Sequence, residues 1–529
     1  MALVAVSFSS CNITREPKAT PLQKPFETLA DIQMNRDAVY MLLRGVETPN
    51  KLNYSDYQGD LYHVNIWDNN TILPIYAWQR QRMANHDFIT SYYGSYYKVV
   101  MQANYFLMRA QEMLDNPNLS LTDNDKALIK QYMGELKVIR ALGHWRLIMR
   151  FSKPWDGTTD NNEQNGIILI TNYDPLTNSK AEKATRAQVY AQIMKDLDEG
   201  IEAIPQDANK EVKPSIYINR DYAYAMKARA ALTSQNWPVA KEAARKVMDN
   251  YPLTALTGDR SKDIELLNKI WRTEDSDEIV VRLYTTPQIG KTTASEIFGA
   301  SWTQTYASDD PTDPTMKKIR LYMPSVMLEK WVIDLYQEED LRKECYIKLH
   351  DLYLEGLAAQ GIAYWAIMKF AGNKALDKDP NIDEWSFGVH LFNAAEAYLI
   401  YAEACYNLGD MAGAIEALDK LQTSRGITFE PDLYSDPAVL IKEIRNERVR
   451  ELVGEGWRFN DIVRWGENMK RGEVQQEVEK LAPALKVGSM FPEAGRDLEK
   501  QAGDQMFIWE FPRLDLENNP NLKAHKNWN

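Results

Sequence analysis

The chain has 529 residues, 44% of them hydrophobic and 26% charged, a composition that excludes a disordered, collagen-like or disulfide-dense protein. Its 62 Lys and Arg against 75 Asp and Glu leave a net charge of −13, which argues against a nucleic-acid partner whose phosphates would be repelled. No apolar run approaches the roughly 18 residues needed to cross a bilayer, so the body of the chain is not expected to span a membrane. The aromatic balance is informative: 28 Tyr and 14 Trp stand against 14 Phe. Tyr and Trp are amphipathic and suit wet contact surfaces, whereas a chain that only fills a core leans on Phe.

Residues 1–11 read MALVAVSFSSC, an apolar run and small residues ending at Cys11. This resembles the tail of a bacterial lipoprotein signal without its basic start. Residues 1–10 are read as a truncated signal, Cys11 as the lipidated first residue of the mature protein, and residues 11–25, with three prolines, as an extended tether. The only membrane contact expected is through that anchor.

Helical periodicity dominates from residue 28. Leu29, Ile32, Val39 and Leu42 predict a helix over 28–45 that Gly45 terminates. Residues 54–97 then hold ten Tyr and Trp, interleaved with Asp56, Asp60, Asn65, Asp68, Asn69 and Asn70. Flat rings offer sugars or peptide side chains an apolar platform, and amides and carboxylates fix polar groups. Tyr62, Trp67, Asp68, Asn69, Asn70 and Trp78 are the first ligand-contact candidates. The competing role for each ring is to pin a long loop to the scaffold. Further helices are predicted over 96–114, over 123–151 with a cap at 122–125, and over 185–204, all as core; His144 and Trp145 belong to that core.

Two segments share a finer pattern. Residues 222–250 carry Ala225, Ala228, Ala230 and Ala231, a break at Gln235–Asn236, then Ala240, Ala243 and Ala244. Residues 396–426 carry Ala397, Ala402 and Ala404, a break at Gly409–Asp410, then Ala414 and Ala417. Small residues on facing sides of a helix–turn–helix permit close approach, as in tetratricopeptide hairpins. The copies lie too far apart in sequence for a continuous array. Insertions of about 46–95 and 252–392 are rich in Gly, Pro, Asn and aromatic residues, with short β-like runs such as 279–284. Long loops on a rigid scaffold are where binding usually sits. Within the second insertion, IFGASWTQTY (297–306) makes Trp302 and Tyr306 further ligand candidates; Trp365 and Trp385 are weaker. Asp309, Asp310 and Asp313 read as a solvated turn rather than a calcium loop.

Residues 443–466, EIRNERVRELVGEGWRFNDIVRWG, form a charge-crowded helix, a Gly turn and a second amphipathic helix. An enzyme would draw an acid and a base from its carboxylates; neighbours of alternating sign at i, i+3 and i, i+4 favour a salt-bridged helix pair instead. The six His are scattered without HExxH spacing. Phosphate-cradling, dinucleotide and nucleophile-elbow motifs are absent, so neither metal nor cofactor is expected.

The 443–466 segment closely resembles the C-terminal signature of the SusD/RagB family. Residues 395–410 (AEAYLIYAEACYNLGD) and 506–528 (MFIWEFPRLDLENNPNLKAHKNW) continue the resemblance. Stretches 35–44, 137–152, 220–230 and 507–512 look nearest the RagB branch, which is associated with oligopeptides; the wider family mostly handles oligosaccharides. The resemblance implies a mainly α, SusD-like fold of tetratricopeptide-type hairpins with long irregular insertions and short strands, in one domain over 26–529. It also implies a lipid-anchored, surface-facing protein of the outer membrane. Such a protein acts without covalent chemistry as a lid, and the RagB-like stretches point to delivery of an oligopeptide, with an oligosaccharide as the alternative, to a SusC/RagA-like TonB-dependent transporter. A protein-interaction scaffold is the alternative from a different class.

Overall fold

The computed structural model describes residues 25–64, 71–83, 85–158, 165–289, 300–305, 318–323, 325–352, 362–378, 386–475, 495 and 498–525; for 300–305, 318–323, 350–352 and 362–364 the backbone alone is described. The helices of eight or more residues among them are α1 Leu29–Val46, α2 Asp87–Asp115, α3 Asp123–Phe151, α4 Arg186–Ala203, α5 Arg220–Thr233, α6 Trp237–Met248, α7 Arg260–Asn268, α8 Ala394–Asn407, α9 Met411–Thr423, α10 Pro437–Leu452 and α11 Arg458–Trp465.

Local chemistry sets their starts. Thr28, Thr122 and Thr185 each form a capping box, with Asp31, Asp125 and Gln188 respectively, satisfying amides that the first turn leaves orphaned. Two boundaries differ from expectation. Helix α1 runs past Gly45 to Val46, because Gly45 keeps helical geometry and Glu47 is the C-cap. Helix α2 begins at Asp87 rather than near 96, because the His86 ring accepts a hydrogen bond from the Phe88 amide. Tyr92, Tyr93 and Tyr96 therefore lie on its buried face.

Helix α3 packs on α2 and α4. The α3–α4 approach depends on glycine: a Cβ at Gly200 would sit 2.5 Å from Val138 Cγ2, and one at Gly134 2.8 Å from Ala203 Cβ. Helices α5–α6 and α8–α9 are the two alanine-lined hairpins, as the spacing predicts. Helix α6 packs directly against α8, so the hairpins stack consecutively in space although the second insertion separates them in sequence. The array that the spacing did not predict is thus continuous in space. Arg229 on α5 clamps Glu396 on α8 through two bonds of 2.8 and 2.6 Å. One hydrophobic cluster runs from Phe26 to Leu522 through the helices from α1 to α10, and a second, smaller one gathers Phe459 and Ile462 of α11 with Trp78, Met469 and Phe507.

Among the described residues strands are short and pair two by two, all antiparallel: β1 Tyr62–Val64 with β5 Val326–Leu328, β2 Ile279–Arg282 with β8 His390–Asn393, β3 Ala300–Thr305 with β4 Lys318–Met323, β6 Ile347–Leu352 with β7 Ile362–Ile367, and β9 Met469–Lys470 with β10 Glu499–Lys500. Among the described residues no helix is long and apolar enough to cross a membrane.

Candidate ligand-binding site

The β1–β5 ribbon joins the two insertions. Tyr62 faces Leu328, His63 faces Met327 and Val64 faces Val326. Residues 65–70 leave directly from Val64, and β4 ends at Met323, just before β5 begins. In sequence, the segment holding Trp67, Asp68, Asn69 and Asn70 follows Val64 and the β3–β4 hairpin holding Trp302 precedes Val326, and Val64 and Val326 are paired at one end of the ribbon. Trp67, Asp68, Asn69, Asn70 and Tyr306 lie outside the described residues, as do Cys11, Trp385 and the Asp309–Asp313 turn; the backbone of Trp302 is paired with Leu321.

Two expected contact residues occupy a different setting. Tyr62 is 1% exposed, its hydroxyl donates to Asn53 Oδ1 at 3.0 Å, and burial pushes that hydroxyl well above its ordinary pKa. Trp78 is also buried, with its indole N–H donating to the Gln58 carbonyl at 3.1 Å and its ring between Phe459 and Phe507. Neither offers an open ring face, which corrects the expectation for both. The Trp78 ring instead pins the first insertion to α11 and the C-terminal segment, Tyr62 packs within the insertion against Tyr57 and Asn53, and Tyr54, Tyr57 and Tyr76 are buried with them. The reason is area: a long loop with little secondary structure is held by large amphipathic side chains whose polar ends find backbone partners.

Beneath the ribbon lies a polar floor that sequence reasoning missed. The buried Arg471 guanidinium donates to the carbonyls of Tyr57, Gln58, Gly59, Tyr76 and Gly495 and lies 3.7 Å from the Tyr76 ring centroid. One cation thereby fixes backbone that precedes residues 65–70 in sequence, Tyr57–Gly59, together with backbone that follows them, Tyr76. Arg458 grips Asp60 with bonds of 2.9 and 2.8 Å, and the Trp331 indole donates to the Asp60 carbonyl at 2.8 Å. Glu329, at the end of β5, accepts from the Gly472 amide at 2.6 Å, while His63 Nδ1 lies 3.0 Å from the Tyr76 hydroxyl. Burial, then the charge of Asp60, raises the Glu329 carboxyl well above its usual range. Gln475 ties β5 to β7, donating to the carbonyls of Leu328 and Trp365 at 3.0 Å and accepting from the Trp365 amide at 2.9 Å. No motif marks Arg471 or Gln475 in the sequence; their importance comes only from where the chain folds over them.

The charge-rich helices are buried rather than solvated. Arg450–Glu447 and Arg464–Asp461 are the expected i, i+3 pairs, but Arg464 also holds Glu403, Arg448 holds Asp461, and Arg342 holds Asp340, Glu447 and Glu451. Burial pushes Glu447 up, but Arg342 and Arg450 more than offset it and hold the carboxyl at about 2. A carboxylate clamped ionised by two guanidiniums has no proton to give, so the segment is an internal ion-pair framework.

Comparison with known proteins follows this architecture. The sequence profile of the SusD family matches residues 380–528, and that of a second group, described as starch-binding and associating with the outer membrane, matches residues 21–232. No curated protein matches the chain. Among solved structures, a SusD superfamily protein from Bacteroides thetaiotaomicron VPI-5482 superposes with a TM-score of 0.71 at 21% identity, covering 94% of this chain and 99% of its own. A putative sugar binding protein from Bacteroides vulgatus ATCC 8482 gives a TM-score of 0.70 at 17% identity, covering 96% and 100%. A laminarin binding SusD-like protein gives 0.66 at 18%, covering 95% and 100%. By its two matching profiles, which between them cover residues 21–232 and 380–528, the chain belongs to the SusD/RagB family.

Proposed function

We propose that the protein captures an oligosaccharide at the outer-membrane surface, using residues 65–70 and the β3–β4 hairpin, and passes it to a SusC/RagA-like TonB-dependent transporter. The observation that supports this reading is the β1–β5 pairing of Val64 with Val326: residues 65–70 follow Val64 in sequence, and the β3–β4 hairpin holding Trp302 precedes Val326. Saccharide binding generally combines ring faces with amide and carboxylate hydrogen bonds, and both segments are rich in these groups. Two structural relatives carry sugar- and laminarin-binding names, which supports a saccharide ahead of a peptide. In this reading Cys11 carries the lipid, residues 11–25 tether it, and residues 26–529 form one body.

A second reading, oligopeptide capture, rests on the RagB-like stretches at 35–44, 137–152, 220–230 and 507–512. Calorimetry with the purified full-length protein separates the two, using laminarihexaose, maltohexaose and a mixed pentapeptide pool. Saccharide binding that Trp67→Ala weakens at least tenfold is the expected result. Heat from peptides alone overturns the saccharide reading. Failure of any TonB-dependent barrel to co-purify from outer membranes overturns the role as a lid.

A further inference from the structure

A cavity of about 440 Å³ opens on the helical scaffold, and none of its lining residues belongs to either insertion. One wall is Trp155. Its ring is half-buried, stacked on the buried Tyr190 ring at 5.3 Å and 29°, and its indole N–H donates to the Thr158 carbonyl, so its orientation is fixed. Ala187 and Ala191, one turn apart on α4, keep the floor open, and the α5–α6 turn supplies the opposite rim with Gln235 and Asn236.

That turn departs from its own repeat. In the second hairpin the corresponding positions are Gly409, with a φ of +78°, and Asp410, whose carboxylate caps α9 by accepting from the Gly413 amide. Glycine in a left-handed turn and a capping side chain at a helix start are what stability favours. In the first hairpin Gln235 takes a φ of +55°, and Asn236 makes no side-chain cap to α6. Among the described residues neither carboxamide meets a protein partner. Both departures fall on the rim of the same cavity, and locally unfavourable choices concentrate where a ligand needs them.

The chemistry of the cavity narrows the ligand. Among the described residues its lining holds a fixed aromatic face, two unengaged carboxamides and the Asp156 carboxylate, and no Lys or Arg. Arg186, bonded to the Pro154 carbonyl, lies outside the lining, and a neutral sugar ring finds an apolar platform with donors and acceptors at its edge. We propose that this cavity is a second saccharide subsite, in which a hexose unit lies against Trp155 and its hydroxyls engage Gln235, Asn236 and Asp156. In a protein that captures a chain from solution, two separated subsites raise the hold on a long glycan through effective concentration, provided the chain spans both. The inference rests on the saccharide reading above for its ligand class, but on different residues.

The test exploits the repeat. Gln235→Gly combined with Asn236→Asp installs the second hairpin's turn, which is expected to leave the fold at least as stable while removing both carboxamides; Trp155→Ala removes the platform. Calorimetry with laminarihexaose and maltohexaose on the full-length protein should give two sites per chain, falling to one in either variant while Trp67→Ala retains the site at Trp155. Unchanged stoichiometry and affinity in the Gln235→Gly/Asn236→Asp protein overturn the subsite. Loss of binding in Trp67→Ala alone upholds the ribbon site and overturns the subsite; loss in the turn variant alone does the reverse. Binding of a pentapeptide pool that the turn variant abolishes, with no sugar bound, overturns the saccharide assignment, and no binding by either sugar overturns both saccharide proposals.

Discussion

Arg425 and Glu278 close a two-pronged ion pair across 147 residues of sequence, Nη1 to Oε1 at 3.0 Å and Nη2 to Oε2 at 2.7 Å, with both side chains sealed from solvent. Arg425 follows helix α9 and Glu278 immediately precedes β2, so the pair fastens the second hairpin to the start of the inserted region. Arg425 also holds Glu451 with two bonds of 3.0 Å, and Glu278 accepts from the Thr254 amide at 2.8 Å. Replacing Arg425 with Met leaves buried carboxylates short of a cation. The expected loss is about 3–5 kcal/mol in urea unfolding; a loss below about 1 kcal/mol contradicts the framework role.

Asp56 opens the 3-10 turn Asp56–Gln58 inside the first insertion. Burial raises its carboxyl to about 7, against the opposing effects of the Phe459 amide, 2.9 Å from Oδ1, and of Arg150. The folded value lies above the unfolded value of about 3.9. Its contribution to stability is therefore complete below about pH 4 and is lost as pH rises to about 7. Asp56→Asn keeps the acceptor for Phe459 and cannot ionise. The variant should unfold at higher denaturant than the parent at pH 8, with the gap closing toward pH 4, measured as urea midpoints across that range.

Two glycines give opposite expectations. Gly456 has a φ of +81°, and a Cβ there would lie 2.3 Å from the Leu52 carbonyl oxygen. Gly456→Ala should cost about 2 kcal/mol or more, since backbone on both sides must shift. Gly45 lies near the end of α1, where an added Cβ would meet nothing within 4 Å. Gly45→Ala should add about 0.5–1 kcal/mol by removing unfolded-state freedom. Thermal unfolding of the two variants side by side checks both signs.

Gln475 is fully buried and satisfies three backbone groups of β5 and β7. Gln475→Leu leaves them unpaired, at about 1–3 kcal/mol for each group that finds no water. Because β5 is one strand of the ribbon that adjoins the proposed ligand segments in sequence, amide exchange at Val326–Leu328 should quicken and laminarihexaose affinity should fall several-fold. Unaltered exchange there rules out Gln475 as the staple of the floor.

Much of the scaffold was legible from residues 28–45, 123–151, 185–204 and the two alanine patterns. Capping boxes at Thr28, Thr122 and Thr185 and small-residue spacing are short-range rules, acting over three or four positions, and the helices they begin lie where the periodicity predicts them. The stacking of α6 on α8 was not legible, because contact between hairpins separated by the second insertion has no local signature. The aromatic excess was legible in position but not in use: composition marks Tyr62 and Trp78 as amphipathic, and only the neighbours Asn53, Gln58, Phe459 and Phe507 decide that they turn inward.

The sequence by itself determined most helix positions, the hairpin repeat and the family to which the chain belongs. Tertiary structure alone decided which charges are buried and which loops meet. Arg464 finds Glu403, Arg471 finds the carbonyls of Gly59 and Tyr76, and Val64 finds Val326, each across a long reach of chain. The physical reason is that burial and ion pairing depend on what arrives from a distance, whereas capping and periodicity are complete within a few turns of one helix.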